Sequence, residues 1–230
     1  MQLFASHVSP EIATKLWQKR EQFFNGGVYP DSLVATVLFT DISNFTTITE
    51  KTSPAVLIHW LNEYMEEMSR LVNHHEGIVN KYIGDAIMAV FGIPVKRNTV
   101  KEIEMDAKNA VLCAMAFNKK LRELNQKWEK EGLPIITMRV GIYTGSLVAG
   151  SFGGLMRMEY TVIGDAVNIA SRLESFDKTI APPDANNPCR ILIGQSTFDY
   201  IRDFYAAEIV GEYQLKGKNE FSKIYQVMAL

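Results

Sequence analysis

The stretch VATVLFTDISNFT, Val34 to Thr46, decides how this chain is read. From Val34 to Thr40 each residue is apolar or β-branched, which predicts a buried strand. The strand ends on a carboxylate, Asp41, and passes straight into a polar segment of Ser43, Asn44, Thr46 and Thr47. A charge at that point is costly unless it has work to do or a partner to meet.

Outward from this strand the chain alternates helical and extended patterns. Ser53 and Pro54 open a helix over 53–75, whose Leu57, Leu61, Tyr64, Met68 and Leu71 share one apolar face and which stops at Gly77. IVNKYIGDAIMAVFG, Ile78 to Gly92, reads as a hairpin with Gly84-Asp85 at its tip. A long helix over 101–131 carries the stripe Ala107, Val111, Ala114, Leu121, Leu124 and Trp128. IITMRVGIYTG, SLVAGSFGG and RMEYTVIG predict three strands, and a helix capped by Asp165 covers 165–176. Residues 181–189 form a loop, and the remaining chain adds strands around one short helix. The predicted class is α+β, a ferredoxin-like βαββαβ core with additional C-terminal strands and helices. Residues 1–30, amphipathic over 8–25, form a helical coupling segment ahead of a domain over 31–230.

Composition narrows the function. At 230 residues the chain can bury one sizeable core. A net charge of −2 gives no footprint for nucleic acid, and none is expected as a partner. Cys113 and Cys189 form no CxxC pair, which argues against a disulfide framework or zinc site and suits a reducing compartment. No apolar run is long enough to span a bilayer, and the N-terminus has no signal-peptide pattern. The expected location is therefore cytoplasmic, with a membrane tether outside this chain left open. No G-x-G-x-x-G or P-loop pattern is present.

The polar residues suggest one site. In the expected core, the first strand and the next lie side by side, bringing Asp41 and Asp85 to one end of the sheet. Paired carboxylates with open positions suit a hard divalent cation such as Mg²⁺ shared with substrate phosphates. The segment Ile42 to Thr47, Phe45 and Thr46 included, offers main-chain N–H groups and hydroxyls to phosphate oxygens. Taken singly, each Asp also has an ordinary role, as a helix cap or a turn residue. Asn168 and Arg172, at i and i+4, share a helix face able to grip a ribose oxygen and a phosphate, or simply to face solvent.

Together FTDISNFT, NKYIGDAIMAVFG, GIYTG, EYTVIGDAVNIASRLE and LKGK resemble the class III nucleotide cyclase catalytic domain over about residues 34–228, most closely its bacterial and soluble-type adenylate cyclases. The resemblance implies two divalent cations, Mg²⁺ or in vitro Mn²⁺, held by Asp41, Asp85 and the Ile42 carbonyl. It assigns ribose orientation to Asn168, transition-state charge to Arg172 and the terminal phosphates to Lys216. Lys81 and Thr161 fall at the base-reading positions. Lys81 can donate to adenine N1 and Thr161 can accept from the 6-amino group, whereas guanine reverses both demands. The implied substrate is ATP, converted to cyclic AMP and pyrophosphate. A guanylate cyclase and a silent nucleotide-binding regulatory domain are the alternatives. The G-G-D/E-E-F hairpin of diguanylate cyclases is absent.

The family builds each site between two chains, so a homodimer with two shared sites is implied. The amphipathic segment ahead of the catalytic core is the ground for expecting a sensor domain outside this chain, and the resemblance implies, from Thr161, bicarbonate as an effector. Ser146 stands where vertebrate membrane enzymes carry a phosphate-binding Arg.

Overall fold

The structure is a computed structural model that describes residues 31–94, 96–154, 157–214 and 221–228. The expected coupling helix within 1–30 and Lys216 lie outside the described residues. The elements run β1 (Asp31–Ile42), α1 (Phe45–Lys51), α2 (Pro54–His74), β2 (Ile78–Ile83), β3 (Ala86–Phe91), α3 (Val100–Glu131), β4 (Met138–Gly154), β5 (Arg157–Ile163), α4 (Asp165–Glu174), β6 (Cys189–Gly194), α5 (Gln195–Ile201), β7 (Ala207–Gln214) and β8 (Phe221–Val227).

One sheet has the order β2-β3-β1-β4-β6-β8-β7, with β5 paired to β4. Its first four strands, linked by α1–α2 and by α3, are each antiparallel to their neighbours and make the ferredoxin-like core. The C-terminal additions join through β6, which lies parallel to β4. One expectation is corrected here: β1 does not lie beside β2, because β3 pairs with β1 and β2 takes the edge. The tip of the β2–β3 hairpin still reaches the end of β1.

The sheet is covered on both faces, which is why β1 reads as an unbroken apolar run. Leu38 and Ile42 point to a core shared with Trp60, Tyr64 and Met68 of α2 and Val111, Phe117 and Trp128 of α3. Leu33, Ala35, Val37 and Phe39 point to the opposite face, against Ala166 and Ala170 of α4. The α3 stripe predicted from sequence is buried throughout. In α2 the buried row is Trp60, Tyr64, Met68 and Val72, while Leu57, Leu61 and Leu71 pack at its margin.

Two further corrections concern β4 and α4. The chain does not turn between GIYTG and SLVAG, because β4 runs unbroken and pairs with β1 from Asp31↔Ala149 to Ile42↔Met138. Gly164, not Asp165, is the N-cap of α4, and it gives no side-chain cap. Helix α4 sits directly on β4 at Gly141, where an added Cβ would come 2.2 Å from both the Ala170 oxygen and the Glu174 nitrogen. Only glycine allows the helix backbone that close.

Candidate active site

Side chains alternate along β1, so Asp41 continues the row of Val37 and Phe39 and faces the α4 side of the sheet. Three residues later the chain turns through Asn44, which takes a left-handed conformation (φ 58°), and enters α1. Across the end of the sheet, Gly84 with φ 64° opens the β2–β3 turn and presents Asp85. The Ile42 N–H donates to Asp85 Oδ2 at 3.0 Å, so the predicted carboxylates meet at one sheet end.

The electrostatics there suit a cation. Burial pushes the Asp85 carboxyl above its ordinary value, the Ile42 hydrogen bond opposes this, and the charge of Asp41 adds to it. Half-buried carboxylates beside a main-chain carbonyl are hard oxygen donors, the kind Mg²⁺ shares with phosphates. Among the described residues no group of three or more His, Cys, Asp or Glu is placed to hold a metal. A cation held here by Asp41, Asp85 and the Ile42 carbonyl would therefore complete its shell with phosphate and water oxygens. Phe45 packs its ring against the core and offers only main chain at the start of α1, whereas Thr46 is exposed and offers its main chain and hydroxyl.

The structure adds residues that sequence reasoning missed. Arg139 of β4 is buried and pairs through Nη2 with Asp41 Oδ2. It also donates from Nε to Glu174 Oε1 at 3.1 Å and from Nη1 to Ser43 Oγ at 3.2 Å. Burial, with the Asp41 charge second, pushes the Glu174 carboxyl up to about 7, against the pull of Arg139. Arg190 of β6 is 1% exposed and ends in a cage of carbonyls. Its Nη2 donates to the Glu174 and Phe176 oxygens, both at 2.9 Å, and its Nη1 to those of Asp177 at 2.7 Å and Ile180 at 3.1 Å. It thus caps the C-terminal end of α4 with a positive charge, where the helix dipole favours one. The available signal was an arginine inside an apolar strand, in TMRVGI and in CRILIG.

Asn168 and Arg172 lie on the outer face of α4, opposite the buried Ala166, Ala170 and Leu173. Among the described residues neither side chain has an ion pair or hydrogen bond, so both are available to a ligand.

Lys81 and Thr161 form a second cluster, between β2 and β5. Lys81 Nζ pairs with Glu159 Oε1 at 2.8 Å. Thr161, on the same face of β5 as Glu159, donates its hydroxyl to Asn80 Oδ1 at 3.1 Å. Lys81 and Asp85, four residues apart across the β2–β3 turn, diverge, the first toward β5 and the second toward the end of β1. Tyr82 and Ile83 of β2, Phe152 of β4 and Ile163 of β5 are exposed apolar residues near this cluster, an apolar fringe in sum, although Tyr82 also bonds Ser69 of α2 at 2.8 Å.

No helix among the described residues is long and apolar enough to cross a membrane.

Comparisons with known proteins agree with this architecture. Adenylate cyclase 1 of Rhizobium meliloti is 33% identical over 195 residues, covering 85% of this chain and 27% of its own. An adenylate cyclase of Anabaena cylindrica is 36% identical over 197 residues, covering 84% of this chain and 36% of its own. The chain thus spans little more than a third of these relatives at most. The crystal structure of the adenylyl cyclase CyaB from P. aeruginosa superposes with a TM-score of 0.78 at 34% identity, covering 87% of this chain and 96% of that one. The guanylyl cyclase Cya2 superposes with a TM-score of 0.75 at 29% identity, covering 88% and 95%. With residues 30–229 also matching the adenylate and guanylate cyclase catalytic domain, this chain belongs to that family.

Proposed function

We propose that this chain is an adenylate cyclase domain that converts ATP to 3′,5′-cyclic AMP and pyrophosphate at sites shared between two copies. The observation that carries the choice of ATP is the cluster of Lys81 and Thr161 between β2 and β5. An ammonium donor beside a hydroxyl oxygen complements adenine N1 and its 6-amino group, and the ammonium opposes the N1–H of guanine.

In this proposal Asp41, Asp85 and the Ile42 carbonyl hold two divalent cations. Those cations supply Lewis acidity toward the α-phosphate and charge neutralisation for the β- and γ-phosphates. The ribose 3′-oxygen gives its proton to solvent and forms a bond to the α-phosphorus, while the bond from that phosphorus to the pyrophosphate oxygen breaks and pyrophosphate leaves. Asn168 orients the ribose. Arg172 meets the charge that builds on the α-phosphate, the role that preorganised cations play in phosphoryl transfer. Lys216 and the main chain at Phe45 and Thr46 contact the other phosphates. Ser146 is exposed on β4 and supplies no cation there.

Sharing between chains is supported by the divergence of Lys81 and Asp85 and by the apolar fringe at Tyr82, Ile83, Phe152 and Ile163. A two-fold arrangement makes both sites equivalent. The test is product formation from ATP and, separately, GTP, with Mg²⁺ or Mn²⁺. Cyclic AMP from ATP is expected, with Asp41→Ala and Arg172→Ala each inactive alone. Mixed and reassorted, the two variants should recover about a quarter of native activity, since half the dimers are mixed and each holds one intact site. Cyclic GMP as the main product would overturn the choice of base. Failure of the mixture to recover activity would overturn the sharing.

Two regulatory proposals accompany this reading. Residues 1–30 couple the domain to a sensor elsewhere in the parent protein, and their deletion should change its rate or dimerisation. Bicarbonate stimulates turnover, and a flat rate across a titration at fixed pH would remove it.

A further inference from the structure

Threonine is an ambiguous reader of a base, because its hydroxyl both donates and accepts. Facing adenine it would accept from the 6-amino group; facing guanine it could turn and donate to the 6-carbonyl. Selectivity needs that rotation to be blocked.

The structure contains such a block. Thr161 Oγ1 lies 3.1 Å from Asn80 Oδ1. A carboxamide oxygen accepts only, so the Thr161 proton is committed to Asn80 and the remaining lone pairs of Thr161 are what a base can meet. Asn80 cannot readily flip to reverse this, because its Nδ2 donates to the Tyr160 carbonyl at 3.4 Å. The backbone is arranged for the same contact. The pairing of β2 with β3 shifts between Val79 and Lys81, leaving Asn80 as the extra residue of a β-bulge. A bulge re-aims a side chain that regular pairing would hold in the ladder. Here it lets Asn80 reach β5 while Lys81, the next residue, reaches Glu159 on the same strand.

We infer that Asn80 is a specificity-determining positioning residue, which fixes Thr161 as an obligate acceptor and so excludes guanine. This rests on the proposed reading of Lys81 and Thr161 as the base contacts. Asn80 itself need not touch the nucleotide.

The experiment compares kcat/KM for ATP and GTP in the full chain and in Asn80→Ala, Asn80→Val and Asn80→Asp. The first two remove the acceptor, and Val suits a strand should the Ala variant fail to fold. The Asp variant keeps an acceptor toward Thr161. In Asn80→Ala and Asn80→Val the preference for ATP over GTP should fall roughly five- to tenfold, chiefly through a lower KM for GTP and a higher one for ATP. Asn80→Asp should keep the native preference. In a Thr161→Val background, Asn80→Ala should change the preference no further, because the group it orients is gone. An unchanged ATP-to-GTP ratio in folded Asn80→Ala or Asn80→Val would overturn the inference, as would an equal loss in the Thr161→Val background. A native chain that prefers GTP would instead overturn the adenylate reading itself.

Discussion

Replacing Arg190 by Met tests how α4 is held, and with it Asn168 and Arg172. Arg190 is 1% exposed and gives its protons to the carbonyls of Glu174, Phe176, Asp177 and Ile180. Met keeps the length and apolar volume of the stem but donates nothing. Asp177 is exposed and Ile180 half-exposed, so their carbonyls can turn to water. Those of Glu174 and Phe176 are at the helix end beneath the arginine, and each buried acceptor left unmet costs about 1–3 kcal/mol. Relief of the buried guanidinium's desolvation offsets part of this. The net expectation is a loss of about 3 kcal/mol, or roughly 6–12 °C in Tm for a domain of this size. Thermal unfolding followed by circular dichroism reads the first effect. The second is a fall in kcat below the new Tm, because α4 loses the cap that fixes its C-terminal turn. Arg190→Lys, with a point charge in place of a planar fork, should recover only part of both. A Met variant within 1 kcal/mol of native stability, with kcat unchanged, would refute the claim that this cage positions the helix.

Gly141→Ala should displace α4, since its Cβ would stand 2.2 Å from backbone atoms that cannot swing aside; loss of Tm and of activity together checks this. Arg139→Leu leaves Asp41 and Glu174 without their shared cation, so metal-free stability should drop by about 3–5 kcal/mol, and Mn²⁺ should raise Tm more in the variant than in the native chain. Glu174, raised from 4.5 to about 7, faces Asp41, Arg139 and Arg190. Between those values the folded chain holds a proton that the unfolded chain releases, so this group makes the metal-free protein less stable as pH rises through that window. Glu174→Gln should flatten that part of the stability–pH profile.

The parts legible in the sequence were those where one signal dominated. An unbroken apolar run gave β1, a repeating stripe gave α3, and Gly-Asp between two strand patterns gave the hairpin that carries Asp85. Gly145 and Ser146 misled because glycine and serine also mark turns; here β4 runs through them, held by pairing along the full length of β1. Trp60 was missed in α2 because leucines on both sides completed an apolar face without it. Arg139 and Arg190 were hidden for a different reason. Each is one charge in an otherwise ordinary strand, and its partners come from α4 or the chain beyond it, or from β1. No local pattern encodes such a meeting. Asn80 belongs to the same class, since a bulge and a distant strand together make its contact.

The position of Asp41 depends on a register that the whole strand enforces. Side chains alternate, so a slip of β1 by one residue would send Asp41 into the α2–α3 core and Ile42 toward α4. Several contacts oppose that slip. Val37 and Phe39 would leave the face they share with Ala166 and Ala170. The Thr36 hydroxyl, buried and 2.8 Å from that of Thr144, would lose its partner. Thr40 Oγ1, which accepts from the Ile87 N–H at 3.1 Å, would leave that donor unmet. Each buried polar group so stranded costs about 1–3 kcal/mol, on top of the apolar surface turned the wrong way. The carboxylate thus inherits its rigidity from the greasy strand before it. The same register brings Asp41 opposite Arg139, so the pairing of β1 with β4 that builds the fold also sets the charge beside the proposed cation site.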